Sequence, residues 1–361
     1  MAKKNKIKRK VKRVDEIQQE IIADISKDFG DMSFLEDEEQ LHILPTIIPS
    51  LNRASFVGGI PGGSIIELHG PNQGGKTVLG VALLISAQKQ GHTTVLYDYE
   101  GSFKDRKWPE ALGADLKSIL YRSPKSYEEG AEDIRKLVIK YSEKQANEKK
   151  LKDRMLWILV DSITAMTPED ILYGKIGKAN FGLHSKITSE WLQGLNALIK
   201  GTNISVIFIN QERVKVGAGP FEKKWKSSGG EALQFYAHVR IRVLQSSVEK
   251  DSQKRVTGKS HRFIVEKCKV SAPDELGYFY TSNGKITPLG FDMPKTYFKE
   301  AVTQNVLKKK GSKYFCNYDE ETQDGLMEAK FIIKIRDDKK MIKWFNKKFE
   351  FRRNKIESEQ G

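Results

Sequence analysis

Ile65-Ile66-Glu67-Leu68-His69 runs straight into Gly70-Pro71-Asn72-Gln73-Gly74-Gly75-Lys76-Thr77, and Val78–Gln90 follows with few helix breakers. An apolar strand, a Gly-x-x-x-x-Gly-Lys-Thr turn and a helix, in that order, decide the fold class. The glycines let the backbone curl so that successive N–H groups point inward at phosphate oxygens. The helix behind adds the positive end of its dipole. In such a loop Lys76 reaches the β- and γ-phosphates and the Thr77 hydroxyl ligates Mg²⁺. A chance match is the alternative in a chain with 29 glycines; the flanking strand and helix argue against it. Gly70 through Val78 therefore mark a nucleoside triphosphate site.

The chain has 361 residues, which allows about two domains. Hydrophobic residues make up 39%, enough for a core. No run approaches the roughly 20 apolar residues that span a bilayer, and the basic N-terminus lacks the apolar stretch of a secretory signal. Cys268 and Cys316 stand far apart with no CxxC partner, against a disulfide scaffold or zinc module and in keeping with a reducing cytosol. A net charge of +15 points to a polyanionic partner, with a merely soluble basic surface as the plainer alternative.

Met1–Arg13 is a basic run: an arm for nucleic acid, a nuclear-import-like sequence or a solvated tail. Val14, Ile17, Ile21 and Ile25 fall at helical spacing, and an acidic linker follows at Glu36–Glu39. From about residue 46, strands alternate with helices. Strands are expected at Ile65–His69, Thr93–Tyr97, Leu156–Val160, Ile204–Ile209, His238–Leu244 and Phe263–Val270. Helices are expected at Val78–Gln90, Ser126–Glu143 and Leu183–Lys200. The alternation predicts an α/β fold with a central, mostly parallel sheet flanked by helices. The last two strands, with no helix between them, should pair antiparallel. Two helical patterns, Phe298–Lys309 and Asp337–Phe349, suggest a small C-terminal α/β unit. The expected segments are a 1–45 N-terminal helical arm, a 46–292 core and a 293–361 C-terminal domain.

Ligands of such sheets sit at the carboxyl ends of the strands. Leu156–Val160 ends in Asp161, a hard oxygen ligand placed to hold Mg²⁺. Thr93–Tyr97 runs into Asp98 and Glu100. Glu100, beside the phosphate loop, is placed to activate a water; Asp98 reads better as a structural cap. Ile204–Ile209 ends in Asn210 and Gln211, amides that can hydrogen-bond a γ-phosphate without binding metal strongly. From Gln211 to Ser228, five basic residues oppose two acids, with Phe221 and Trp225 between them. Arg213–Ser228 reads as an irregular single-strand-binding loop, lysines tracking phosphates and aromatics stacking on bases; a solvated loop is the alternative. Leu172–Lys186, with Lys175, Lys178, Phe181 and Lys186, is a second candidate on composition alone.

Taken in order and spacing, these motifs resemble the RecA family of homologous-recombination ATPases, as a bacteriophage member. The supporting residues are Gly58–Ser64, Gly70–Thr77, Asp98–Glu100, Val160–Ser162, Phe208–Gln211 and Gly229–Ala237, and the likeness runs from about Ile47 through Pro273. It implies ATP and Mg²⁺ as cofactors. It makes Glu100 the general base, Asp161 the magnesium-side acid, and Gln211 the coupler of the γ-phosphate to the second DNA loop. Trp108 stands where an aromatic stacks on adenine, with Asp105 as a further base contact. Lys267 and Lys269 resemble lysines that reach the neighbouring subunit's nucleotide, and Phe235 resembles an interface residue. The implied DNA-binding set is Lys175, Lys178, Phe181, Lys186, Arg213, Lys215, Lys223, Lys224, Trp225, Lys226, Gly229 and Gly230.

The sequence departs from the family at Glu100–Phe103, where an insertion precedes Trp108. It also departs at the tail, where Asn346–Gly361 holds five basic residues and three acids instead of a strongly acidic run. The second loop diverges beyond Arg213. The resemblance implies an ssDNA-dependent ATPase that polymerises on single-stranded DNA as a helical homo-oligomeric filament and exchanges strands with homologous duplex. Further partners would be ssDNA-binding and mediator proteins, in a cytoplasmic setting (the host's, if phage-encoded). A RecA-fold helicase or translocase motor and an ATP-switched ssDNA-coating mediator are the alternatives.

Overall fold

The computed structural model describes residues 41–349 apart from 152, 176–181, 215–224, 228–230, 274 and 286–287. The expected helix at Val14–Ile25 and the basic tail beyond 349 lie outside them. Among the described residues, eleven strands form the main sheet. In chain order these are β1 (Ile65–Gly70), β2 (Thr93–Asp98), β3 (Ile119–Arg122), β4 (Leu156–Asp161), β5 (Ile204–Val214) and β6 (Trp225–Ser227). Then come β7 (Val239–Val243), β8 (Ser247–Lys250), β9 (Val256–Cys268), β10 (Leu276–Ser282) and β11 (Gly290–Phe291). The spatial order is β11-β10-β9-β7-β1-β5-β4-β2-β3, with β8 on β9 and β6 on β5. Pairing is parallel from β7 through β1, β5, β4 and β2 to β3. It turns antiparallel from β7 to β9 and onward, as expected where no helix intervenes.

The parallel strands are near-continuous apolar runs because helices cover both faces. Alternate residues go to opposite sides. Ile66, Leu68, Trp157, Leu159, Ile207 and Ile209 pack with α1 (Lys76–Lys89), while Ile65, Ile158, Val160, Val206 and Phe208 pack with α2 (Tyr127–Asn147) and α3 (Leu183–Ile199). Helix α2 starts where the Ser126 hydroxyl accepts the Glu129 N–H at 3.0 Å, and Glu128 and Glu129 in its first turn suit the dipole.

Several boundaries differ from expectation. Strand β5 continues through Val214 and pairs antiparallel with β6, Val214 lying opposite Trp225. The segment read as irregular from Arg213 to Ser228 thus has a ladder at its base, because the strand carries on past its apolar stretch. In the C-terminal part, α4 spans Met293–Thr303 rather than Phe298–Lys309. Asp292 caps it and Pro294 occupies its first turn. Lys308–Lys310 instead pairs with Lys313–Phe315 in a small three-stranded sheet. A helix not foreseen, α5 (Glu328–Asp337), precedes α6 (Lys339–Lys348). These elements share a core of their own, centred on Phe298, Phe331, Ile335, Met341 and Phe345.

The main sheet and α4 meet through ions. Glu300, fully buried, accepts from Arg53 Nε at 2.7 Å, Gln304 Nε2 at 2.7 Å and the Tyr278 hydroxyl at 2.8 Å. Arg53 also pairs with Glu275 and donates to the Leu276 carbonyl. Burial opposes the Arg53 charge, yet Glu300 and Glu275 together raise its pKa. Removing one member of a buried pair strands the other charge. Arg53→Ala is therefore expected to cost about 3–5 kcal/mol, read as a fall in the urea midpoint at unchanged slope.

Candidate nucleotide site and nucleic-acid interface

Parallel register sets residues at the carboxyl edge level in two pairs. Gly70 closes β1 opposite Gln211 of β5, and Asp98 of β2 lies opposite Asp161 of β4. The turn from Gly70 to Gly75 then leads into α1, whose cap Gly75 has φ 104°. A Cβ there would also stand 2.4 Å from His261 Nδ1, so both backbone and space require glycine. His261, buried on β9, supports the loop from beneath. Its Nδ1 lies 3.1 Å from the Gly74 carbonyl and 2.8 Å from the Ser246 hydroxyl, and its Nε2 lies 3.0 Å from Thr281 Oγ1.

Lys76 Nζ donates to the carbonyls of Gly70 and Pro71 at 3.0 and 2.8 Å. Burial lowers its pKa, against the pull of Glu100, Asp161 and Glu212. The Thr77 hydroxyl donates to Asp161 Oδ2 at 2.9 Å. Burial, with Glu100 nearby, pushes the Asp161 carboxyl up to about 7 although the Thr77 bond opposes this. Asp161 Oδ1 is buried and has no hydrogen-bond partner among the described residues. A hydroxyl and a carboxylate sharing one edge, one oxygen left without a donor, form a hard oxygen set that fits Mg²⁺.

Glu100 Oε1 accepts from Ser162 Oγ at 2.5 Å and from Gln211 Nε2 at 3.2 Å. The amide and the carboxylate therefore touch. Asp98 is occupied differently: Oδ1 accepts the N–H groups of Gly101 and Ser102 at 2.7 and 3.1 Å, and Oδ2 that of Phe103 at 3.1 Å. It ties down the turn that carries Glu100.

One cleft of 590 Å³ joins these groups. Asn72, Gln73, Gly75, Lys76, Thr77, Val78, Glu100, Trp108, Asp161 and Gln211 line it, as do Lys259, His261, Thr281, Ser282 and Leu289. Trp108, half-buried, meets Phe103 edge-on at 5.8 Å and presents an aromatic wall. Asp105 is exposed and is not among the lining residues; its Oδ1 accepts the Lys107 N–H at 3.0 Å. Lys259, His261 and Thr281 were missed because they sit in alternating strands with no motif around them.

Lys267 lies near the end of β9 and Lys269 just beyond it, both away from the cleft of their own chain. Lys267 Nζ donates to the carbonyls of Gln234 and Phe235 at 3.2 Å each. The Phe235 ring is 73% exposed, an apolar group without cover on this surface. Lys175 and Lys186 are exposed, the latter in the first turn of α3. Arg213, Trp225 and Lys226 belong to the β5–β6 ladder. Lys178, Phe181, Lys215, Lys223, Lys224, Gly229 and Gly230 lie outside the described residues. Among the described residues, no helix is long and apolar enough to cross a membrane.

A phosphate loop after β1, an acid at the end of β4 and an amide on β5 opposite Gly70 define a P-loop nucleoside triphosphatase with a RecA-like core. The family model for the RecA N-terminal domain matches residues 16–282. Protein RecA of Bacteroides thetaiotaomicron is 32% identical over 321 residues, covering 86% of this chain and 89% of that protein. Protein RecA of Mannheimia haemolytica is 34% identical over 280 residues, 75% of this chain and 72% of that one. The chain belongs to the RecA family of recombination ATPases. These matches do not bear on the expected bacteriophage origin.

The loop geometry carries a direct test. Gly75→Ala forces a side chain into positive φ and against His261, a strain of about 1–3 kcal/mol. Affinity for a fluorescent ATP analogue should fall roughly 10- to 100-fold, and the thermal midpoint should drop by a few degrees.

Proposed function

We propose that this protein is an ssDNA-dependent ATPase that polymerises on single-stranded DNA and catalyses homologous pairing and strand exchange. The observation that carries the reading is continuity along β5. The strand that ends the core at Gln211, in contact with Glu100, runs directly into the stem of the basic hairpin. Loss of a γ-phosphate contact at Gln211 would therefore be felt at the hairpin, which grips the polyanion.

In this reading the loop N–H groups and Lys76 bind the triphosphate, and Trp108 stacks on the adenine. Thr77 and Asp161 hold Mg²⁺, which when bound neutralises phosphate charge. Glu100 takes the proton of the attacking water, and Ser162 and Gln211 fix its carboxylate for that task. Lys267 and Lys269 reach the next protomer's nucleotide, and Phe235 packs across that junction. Lys175, Lys178, Phe181 and Lys186, with Arg213, Lys215, Lys223, Lys224, Trp225, Lys226, Gly229 and Gly230, line the DNA path. The 1–45 arm docks on a neighbouring protomer, 46–292 forms the motor and 293–361 the accessory domain. Homologous duplex is the second DNA partner, with ssDNA-binding and mediator proteins as helpers in a cytoplasmic setting.

Electron microscopy with single-stranded DNA and a non-hydrolysable ATP analogue tests the assembly: regular filaments are expected, lost in Lys76→Ala. Monomers with and without nucleotide would sink the reading. Glu100→Gln should cut turnover by about 10²–10⁴-fold while filaments persist. The logarithm of ssDNA affinity should fall with the logarithm of salt at a slope near −0.7 per phosphate neutralised; a flat response would remove the basic hairpin from the DNA path.

A further inference from the structure

A belt of charge crosses four adjacent strands beside the phosphate loop. Glu67 and His69 come from β1, Glu212 from β5, Arg240 and Arg242 from β7, and Glu266 from β9. His69 is nearly buried, and each of its ring nitrogens meets a carboxylate: Nδ1 stands 2.9 Å from Glu212 Oε1 and Nε2 3.1 Å from Glu266 Oε2. A neutral imidazole has one N–H, so one of these contacts would set a lone pair against an anionic oxygen. Only the imidazolium donates to both.

The surroundings favour that form. Arg242 donates to both oxygens of Glu212 at 2.9 and 3.2 Å, and Arg240 to Glu67 at 2.5 Å and Glu266 at 3.4 Å. Three carboxylates and two guanidiniums leave one negative charge, which a protonated His69 cancels. Lys76 lies within reach of the Glu212 charge on the loop side. Burial works against a charged His69, but its bonds to Glu212 and Glu266, with Glu67 behind them, outweigh burial and the Arg240 charge and raise its pKa. Against their own burial, the same bonds hold the Glu212 and Glu266 carboxyls below their ordinary range.

The three partners stand beside functional positions in the chain. His69 precedes Gly70, Glu212 follows Gln211, and Glu266 precedes Lys267. We propose that His69 is a positioning residue whose imidazolium clamps the strand bearing Gln211 to the strand bearing Lys267. The γ-phosphate contact made within a protomer and the cation offered to its neighbour then move as one unit. This rests on the roles proposed above for Gln211 and Lys267. Because the folded-state pKa lies above the unfolded value, the clamp is complete at acid pH and is lost as pH rises through the folded value.

The test uses the full-length chain with ¹⁵N-labelled histidine, the His69 signals being assigned by their loss in His69→Gln. Both ring nitrogens should be protonated at about pH 7, with a midpoint above the ordinary histidine range. Glu266→Gln should lower that midpoint, which a purely space-filling role would not do. Over the same pH range, ssDNA-stimulated kcat should fall about tenfold, on the order of one charge-assisted hydrogen bond. KM for ATP should hold, and His69→Gln should lack this pH limb. A single neutral tautomer at pH 7, a midpoint indifferent to Glu266→Gln, or superimposable wild-type and His69→Gln profiles would overturn the clamp. Should turnover ignore DNA at every pH, the recombinase reading falls and the ring titration alone judges the clamp.

Discussion

Gly70 lies opposite Gln211, and Asp98 opposite Asp161, because strands buried on both faces have little choice of register. Slipping a strand by one residue would send every side chain to the other layer. For β5 that would exchange Ile207 and Ile209, which face α1, with Val206 and Phe208, which face α2 and α3. Register, fixed by packing, thus decides which polar groups emerge together at the carboxyl edge. The glycine turn, Asp161, the Gln211 amide and the turn bearing Glu100 come out at one edge for a reason unrelated to their chemistry.

That edge is electrostatically uneven. Burial pushes the Asp161 carboxyl up to about 7 and lowers the pKa of Lys76. Burial penalises the charged form of each, and each gains from a ligand of the opposite sign. A triphosphate with its magnesium would supply both signs at once: oxygens for Lys76 and the loop N–H groups, a cation for Asp161 and Thr77. The same low dielectric that penalises these groups alone strengthens them once paired.

Much of this was legible in the chain. The phosphate loop is a contiguous motif, and Asp161, Glu100 and Gln211 each come after an apolar strand, so a local pattern locates them. Pairs made across strands leave no such mark. His261 under Gly75, and His69 between Glu212 and Glu266, are single polar residues in strands, meaningful only once register places their partners. Asp105 is a different case: the turn capped by Asp98 comes just before it, and the cleft is lined without it. The hairpin stem was hidden because the ladder past Gln211 lacks the apolar run that announced the strand. Helix α5 begins with no side-chain cap to signal it.

The end of the apolar run has a mechanical consequence. Strand β5 is gripped by β4 as far as Phe208 and by β1 as far as Gln211, where Gly70 turns away. From Glu212 onward its backbone partner is β6, and a two-stranded ribbon is marginal on its own. Gln211 therefore sits at the junction between a stiff sheet and a compliant arm. A shift of its side chain, absorbed easily anywhere deeper in the sheet, can here be passed to the ribbon. Glu212 is the first residue past that junction, and its carboxylate is tied back to β1 and β7 through His69 and Arg242. In the proposed coupling, those bonds keep the arm from pivoting freely at Gln211, so that a displacement of the amide would be carried outward to the hairpin.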